Sequence, residues 1–134
     1  MTNFVDLFKN RSVLVTGHTG FKGSWLTTWL NIMGANVIGV SLNPPSQPSH
    51  FEVAELAKSI EDHRLDIRDG DKLKRLVSGT QPDFVFHLAA QPLVRQSYLD
   101  PVETYQTNVL GTLNLLEALR LLEKPCRAVL VTSD

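Results

Sequence analysis

Val13-Leu-Val-Thr-Gly-His-Thr-Gly-Phe-Lys-Gly23 is the stretch that decides the fold. Together with Ser12, its first residues form a short apolar and β-branched run that stops at Gly17, which reads as a strand buried on both faces. From Gly20 to Met33 the apolar residues Phe21, Trp25, Leu26, Trp29, Leu30 and Met33 return at three- and four-residue spacing. That period predicts a helix, which Gly34 can end in a left-handed conformation. Between strand and helix, Gly17 permits a tight turn, Gly20 lets the backbone approach a pyrophosphate and Gly23 allows the helix to pack closely on the strand. The helix start offers unpaired N–H groups to an anion. The stretch therefore predicts a phosphate cradle, and the alternative is a glycine turn that holds no ligand.

Outward from this unit the same alternation continues. Asn36 to Ser41 reads as a second strand, and Pro44, Pro45 and Pro48 make Asn43 to Ser49 a loop. Phe51 to Ala57 suggests a short helix, Ser59 to Leu65 a third strand ending near Asp66, and Asp69 to Ser78 a helix with acids in its first turn. Asp83 to Leu88 follows as a fourth strand, Pro101 to Leu122 as a long helix and Ala128 to Thr132 as a fifth strand. Strands that alternate with helices pair in parallel through right-handed crossovers, so the expected fold is α/β. It is a Rossmann-like, doubly wound sheet in the order 3-2-1-4-5, with ligands beyond the carboxyl ends of the strands. Residues 1–134 are expected to form one domain. The fifth strand runs into Ser133 and Asp134 with no helix behind it, so the expectation is a truncated domain with one sheet edge uncovered.

Composition narrows the function classes. The 134 residues are 43% hydrophobic and 20% charged, and 13 Lys plus Arg stand against 14 Asp plus Glu. A net charge of −1 without a basic run gives no field that gathers nucleic acid. Cys126 is the single cysteine, so neither an internal disulfide nor a cysteine metal cluster is available, and no metal site is expected. The amino-terminal residues alternate polar and apolar, and nowhere do about 18 apolar residues run together. No membrane partner is expected, and the default location is the cytoplasm.

The glycine spacing is G-x-x-G-x-x-G, and here the chain resembles the extended short-chain dehydrogenase/reductase family. The resemblance implies a bound NAD or NADP, held by Gly17, His18, Thr19, Gly20, Phe21, Lys22 and Gly23. Two residues depart from the family pattern, which commonly has a small residue in place of His18 and an aliphatic one in place of Lys22. His18 either reaches a phosphate or the substrate or is an exposed loop histidine, and Lys22 has the same choice or is a solvated helix lysine. An acid that binds the ribose 2′-OH is expected roughly 20 residues after the glycine loop. None occurs between Asp6 and Glu52, so Ser41, Leu42 and Asn43 occupy that place, and no arginine stands among them to favour a 2′-phosphate. The choice between NAD and NADP stays open on this chemistry.

Further along, Leu65-Asp66-Ile67-Arg68-Asp69 is similar to the family's adenine-binding pair, which assigns Asp66 and the backbone of Ile67; a helix cap is Asp66's other reading. His87-Leu88-Ala89-Ala90 resembles the strip beside the nicotinamide-side ribose, which assigns Leu88, Ala89 and Ala90, with Gln91 and Arg95 beyond them as substrate contacts. His87 itself reads as a satisfied core histidine without chemistry. Asn108, in Tyr105 to Thr112, matches the Asn-x-x-Gly-Thr pattern that steadies the active-site strand, and Val109, Leu113, Leu116 and Leu119 are expected to form a buried stripe beside it. The long helix is also the expected interface of a homo-oligomer.

Val129 to Asp134 resembles the start of the fifth-strand motif of sugar-nucleotide 4,6-dehydratases. This implies Thr132 at the cofactor, Ser133 positioning the sugar and Asp134 as the acid that protonates the C6 hydroxyl as water leaves. In that chemistry NAD takes a hydride from sugar C4 and a deprotonated Tyr takes the hydroxyl proton. Asp134 must then hold its proton near neutral pH, which burial can arrange. Read without the family, Ser-Asp is a strand end or a helix cap. No Tyr-x-x-x-Lys is present, because Tyr98 and Tyr105 are followed four residues on by Val102 and Val109. Turnover by these residues alone is not expected, and the sugar-holding domain that the resemblance implies is expected to be absent from them. Residues 17–24, 41–49 and 132–134 together resemble the branch that uses CDP-D-glucose, in O-antigen deoxysugar synthesis. The alternatives are another sugar-nucleotide epimerase or dehydratase, and a dinucleotide-binding module without catalysis.

Overall fold

The computed structural model describes residues 3–132. Five parallel strands, β1 (Ser12–Thr16), β2 (Asn36–Ser41), β3 (Glu61–Arg64), β4 (Phe84–His87) and β5 (Arg127–Leu130), form one sheet in the order 3-2-1-4-5, as expected. In β1 the side chains alternate faces, so Leu14 enters one core and Val13 and Val15 the other. The first core closes Leu14, Ile38, Val40 and Val85 under helices α3 (Gly70–Thr80) and α6 (Thr112–Arg120), through Leu73, Val77, Leu115 and Ala118. The second packs Val13, Val15, Val37 and Phe84 against Leu30 and Met33, at the end of helix α1 (Phe21–Ile32), and against Phe8. Each of these buried aliphatic side chains contributes about 1.5–3 kcal/mol relative to exposure.

Helix α1 lies where its period predicts, and Gly34 adopts φ +77° after it. Its packing face is nevertheless the small one. Gly23, Ser24, Thr27 and Leu30 are buried, whereas Phe21, Trp25, Trp29 and Ile32 stand outward. The reason is close approach: a helix can sit this near the strand only through residues without bulk. Trp25 instead stacks on His50 of the short helix α2 (His50–Val53), with ring centroids 3.9 Å apart, and Trp29 meets Phe4.

The long helix is correct in extent but not in continuity. Pro101–Tyr105 (α5) passes through a π-helical stretch, Gln106–Gly111, into α6, and a further helix α4 (Val94–Leu99) precedes it that the sequence period does not reveal. The wider turn rotates the helical face beyond it. Gly111, Leu115 and Ala118 face the core, while Val109, Leu113 and Leu116 of the expected buried stripe are exposed. Only Leu119 of that set packs against the core. Strand β5 is also shorter than expected, ending at Leu130.

At the opposite end of the sheet from the glycine loop, Asp83 accepts from the Ser12 backbone N–H at 2.9 Å and pairs with Arg11 and Lys124. These donors, the Ser12 N–H foremost, lower its carboxyl to about 2. A depressed acid contributes stability above its unfolded value near 4, and the contribution is lost as pH falls towards about 2. Asp83→Ala is therefore expected to cost about 1–2 kcal/mol at neutral pH, with the gap between variant and parent closing below pH 3. Urea melts across that range check both the cost and its sign.

Candidate functional site

The site starts at Gly17, whose φ of +76° turns the chain from β1 into α1. Gly20 caps α1 without any side chain over the helix start, and the first turn of the helix carries no acid. The turn is tight on every side. A Cβ at Gly23 falls 2.0 Å from the Gly17 carbonyl oxygen, and one at Gly17 falls 2.8 Å from the Ala89 nitrogen. This cradle, with its bare helix start, fits a pyrophosphate. Phe21 and Lys22 project outward beside it.

Thr19 is buried and ties the loop to the end of β2. Its hydroxyl donates to the Leu42 carbonyl at 2.9 Å and accepts from Ser41 at 2.7 Å. Ser41, Leu42 and Asn43 thus line the loop's β2 side. The structure adds a cation there that linear reading misses. Arg64, the last residue of β3, pairs with Ser41 in the sheet and donates through Nη1 to Asn43 Oδ1 at 3.1 Å. The expectation that no arginine stands at this edge is corrected: parallel pairing brings one in from 21 residues away. Asp62 holds the same guanidinium through Nε and Nη2.

His18 departs from both of its expected roles. Its ring is fully buried, edge-on to Phe51, and Nε2 donates to Asp62 Oδ1 at 2.7 Å. The side chain therefore neither reaches a phosphate nor lies exposed; only the backbone of His18 remains at the loop. Burial lowers the ring's pKa despite Asp62, and Asp62, raised by its own burial, is held below its ordinary value by Arg64 and His18. A glycine in mid-strand marks a close approach, and Gly39 in β2 was the available signal. A Cβ there falls 2.4 Å from the His18 ring. Gly39→Ala is expected to cost about 1–3 kcal/mol and much less in a His18→Ala background. A double-mutant cycle by denaturant melts checks this, and equal costs in both backgrounds refute the contact.

Beyond β3, Asp66 accepts from the Arg68 N–H at 2.9 Å and from its guanidinium, which holds the carboxyl below its ordinary range. Asp69, not Asp66, caps α3. Ile67 points into the core against Gly111, and Asn114 binds its carbonyl at 3.0 Å. After β4, Leu88 and Ala89 cross directly over Gly17, and Ala90 is exposed. Asn108 accepts from the Gln91 N–H at 2.8 Å and donates to its carbonyl at 3.1 Å. The Gln91 side chain is engaged by Leu93 and Thr104, while Arg95 is exposed on α4. Thr132 is exposed just past β5. Ser133 and Asp134 lie outside the described residues. Among the described residues no group of His, Cys, Asp and Glu could hold a metal ion, and no helix is long and apolar enough to cross a membrane.

Comparison with known proteins places this geometry. The profile of the family described as GDP-mannose 4,6 dehydratase matches residues 14–134. The CDP-glucose 4,6-dehydratase of Salmonella typhimurium is 50% identical over 129 residues, covering 96% of this chain and 36% of its own length. The GDP-mannose 4,6-dehydratase of Vibrio cholerae is 34% identical over 122 residues, covering 84% of this chain and 32% of its own length. Among solved structures, the UDP-glucose 4-epimerase of Brucella ovis in complex with NAD superposes with a TM-score of 0.76 at 28% identity, covering 90% of this chain and 35% of that one. The Thermus thermophilus UDP-glucose 4-epimerase complex with NAD gives 0.71 at 36% identity, covering 81% and 33%. The chain thus spans about a third of the length of these relatives. With the five-stranded sheet, the glycine cradle and a match across nearly its whole length, the chain belongs to the GDP-mannose 4,6 dehydratase family of sugar-nucleotide dehydratases and epimerases built on the short-chain dehydrogenase fold.

Proposed function

We propose that this chain is the dinucleotide-binding part of an NAD-dependent CDP-D-glucose 4,6-dehydratase, forming CDP-4-keto-6-deoxy-D-glucose for O-antigen deoxysugar synthesis. The observation that carries the reading is the 50% identity to the CDP-glucose enzyme over 129 residues, 96% of this chain. When bound, NAD supplies a reversible hydride acceptor. The chain's own residues do the holding. The backbone of Gly17 to Gly23 and the start of α1 bind the pyrophosphate. Ser41, Leu42 and Asn43 border one ribose, Asp66 and the Ile67 backbone read the adenine, and Leu88, Ala89 and Ala90 leave room for the other half.

Arg64 at the β2 edge supports acceptance of NADP beside NAD, because a guanidinium there meets a 2′-phosphate. Arg95, exposed on α4, and Gln91, once its side chain exchanges its bonds to Leu93 and Thr104, contact the nucleotide sugar, Thr132 lies at the cofactor, Ser133 positions the sugar and Asp134 protonates the C6 hydroxyl. The outward row Val102, Tyr105, Val109, Leu113 and Leu116 is the surface on which a homo-oligomer forms. On this reading the assembly works in the cytoplasm, in keeping with a single free cysteine.

A second reading, a UDP-glucose 4-epimerase, is favoured by the NAD-bound epimerases that superpose on the chain. Calorimetric titration of the chain with NAD and NADP, then incubation of NAD with CDP-D-glucose or UDP-glucose and the polypeptide encoded by the complete reading frame, tests both. Nucleotide binding with a 4-keto product from CDP-D-glucose is the expected result. UDP-galactose from UDP-glucose establishes the epimerase instead, and no nucleotide binding by either polypeptide overturns both readings.

A further inference from the structure

His87 sits at the carboxyl end of β4, buried, with both ring nitrogens engaged. Counting donors assigns every proton around it. Thr16 Oγ1 lies 3.1 Å from the backbone nitrogens of Leu88 and Ala89, and both of these can only donate. Ala89 N–H takes one lone pair and Leu88 N–H is shared with the Thr16 backbone carbonyl at 3.1 Å. On the other side of the ring the Thr112 hydroxyl spends its hydrogen on the Asn108 backbone carbonyl and must accept from Nε2, so the Thr16 hydrogen goes to His87 Nδ1, 2.6 Å away. Nδ1 is therefore an acceptor, and the neutral ring carries its proton on Nε2. Nε2–H donates to Thr112 Oγ1 at 2.8 Å, whose hydroxyl in turn donates to the Asn108 carbonyl at 2.8 Å. Asn108 binds Gln91 through both ends of its amide.

The chain of bonds closes on itself. Thr16 fastens the start of the segment Leu88–Gln91, Asn108 fastens its end, and His87 joins the two fasteners across the sheet and the π-helical stretch. In a doubly wound sheet the dinucleotide lies across the point where strand order reverses, with one nucleotide half over β1 to β3 and the other over β4 and β5. Leu88–Gln91 follows β4 and so belongs to the side of the sheet that would meet the second half.

We propose that His87, as the Nε2-protonated neutral imidazole linking Thr16 to Thr112, is a positioning residue that holds the Leu88–Gln91 segment at the height the nicotinamide half of the dinucleotide requires. This rests on the dinucleotide reading of the chain. Burial works in the same direction, holding the ring below its ordinary pKa and so neutral. A core histidine that merely fills space makes no distinction between the halves of a ligand, whereas this arrangement braces Leu88–Gln91, which starts where it crosses over Gly17 and runs on from there.

The test compares NADH with ADP, which carries the adenosine and pyrophosphate but no nicotinamide. Dissociation constants for both are measured on the parent chain, His87→Asn, which keeps an acceptor near Thr16 but lacks the reach to Thr112, and Thr112→Val, which breaks the relay from the half-buried helix side. The expected result is NADH weakened about tenfold in each variant, the loss of about one hydrogen bond, with ADP weakened severalfold less and Thr112→Ser close to the parent. Nitrogen-15 spectra of the ring should show Nε2 protonated. Equal weakening of NADH and ADP in Thr112→Val, or a ring protonated on Nδ1, overturns the proposal. A parent chain that binds neither nucleotide rejects the dinucleotide reading itself, and the proposal with it.

Discussion

Replacing Gly23 by alanine is expected to abolish measurable dinucleotide binding and to lower stability by about 2–3 kcal/mol. Alanine is normally the better helix residue by about 1 kcal/mol, and Gly23 lies inside α1. Here sterics decide against propensity. The added methyl falls 2.0 Å from the Gly17 oxygen, 2.7 Å from the Gly17 carbonyl carbon and 3.0 Å from the His18 Cα, all of them backbone. No side chain can swing aside, so either the turn opens or α1 moves off β1, and forced overpacking of this kind costs about 1–3 kcal/mol and occasionally more. Either movement displaces the bare helix start from the cradle. Gly79 in α3 is the control, because a Cβ there meets nothing within 4 Å. Gly79→Ala should stabilise by about 0.5–1 kcal/mol and leave nucleotide affinity unchanged. Urea melts and nucleotide titrations on the two variants settle the matter. A Gly23→Ala chain that melts and binds like the parent would falsify the cradle geometry.

Thr16→Val is the second large effect, expected to cost about 2–4 kcal/mol although the two side chains have nearly the same shape and valine suits a strand. The position is fully buried, so water cannot replace what the hydroxyl supplied. Leu88 N–H retains the Thr16 backbone carbonyl at 3.1 Å, but Ala89 N–H and His87 Nδ1 lose their partner. Two orphaned buried groups at about 1–3 kcal/mol each set the scale. Thr16→Ser keeps the hydroxyl and should stay within about 1 kcal/mol of the parent, the cost of one buried methyl. If valine and serine prove equivalent by denaturant melts, the hydroxyl does not fasten Leu88–Gln91.

Much of this molecule is local in origin. The strands β1 and β2 and the extent of helix α1 follow from apolar period and from Gly17 and Gly34, because backbone conformation is a property of neighbouring residues, whereas the face that α1 packs does not, since Gly23, Ser24 and Thr27 are buried and Trp25 and Trp29 stand outward. Strand order follows from alternation and handed crossovers. The glycine cradle was equally legible, since its spacing carries its use. What the period could not show is which residues 21 to 71 positions apart meet at the strand ends. His18 folds inward because Gly39 leaves it room beside Asp62, and Arg64 arrives at Asn43 through the pairing of β3 with β2. The outward turn of Val109, Leu113 and Leu116 comes from a π-helical stretch that a uniform 3.6-residue period cannot anticipate.

The sequence by itself thus determined the order of the five strands, the sheet topology and the glycine turn between β1 and α1. Only the tertiary structure decided the side-chain partners around that loop. Burial and a bonding partner across the sheet are set by packing in three dimensions, and the proton on His87 Nε2 is assigned only once Thr16, Thr112 and Asn108 stand around it.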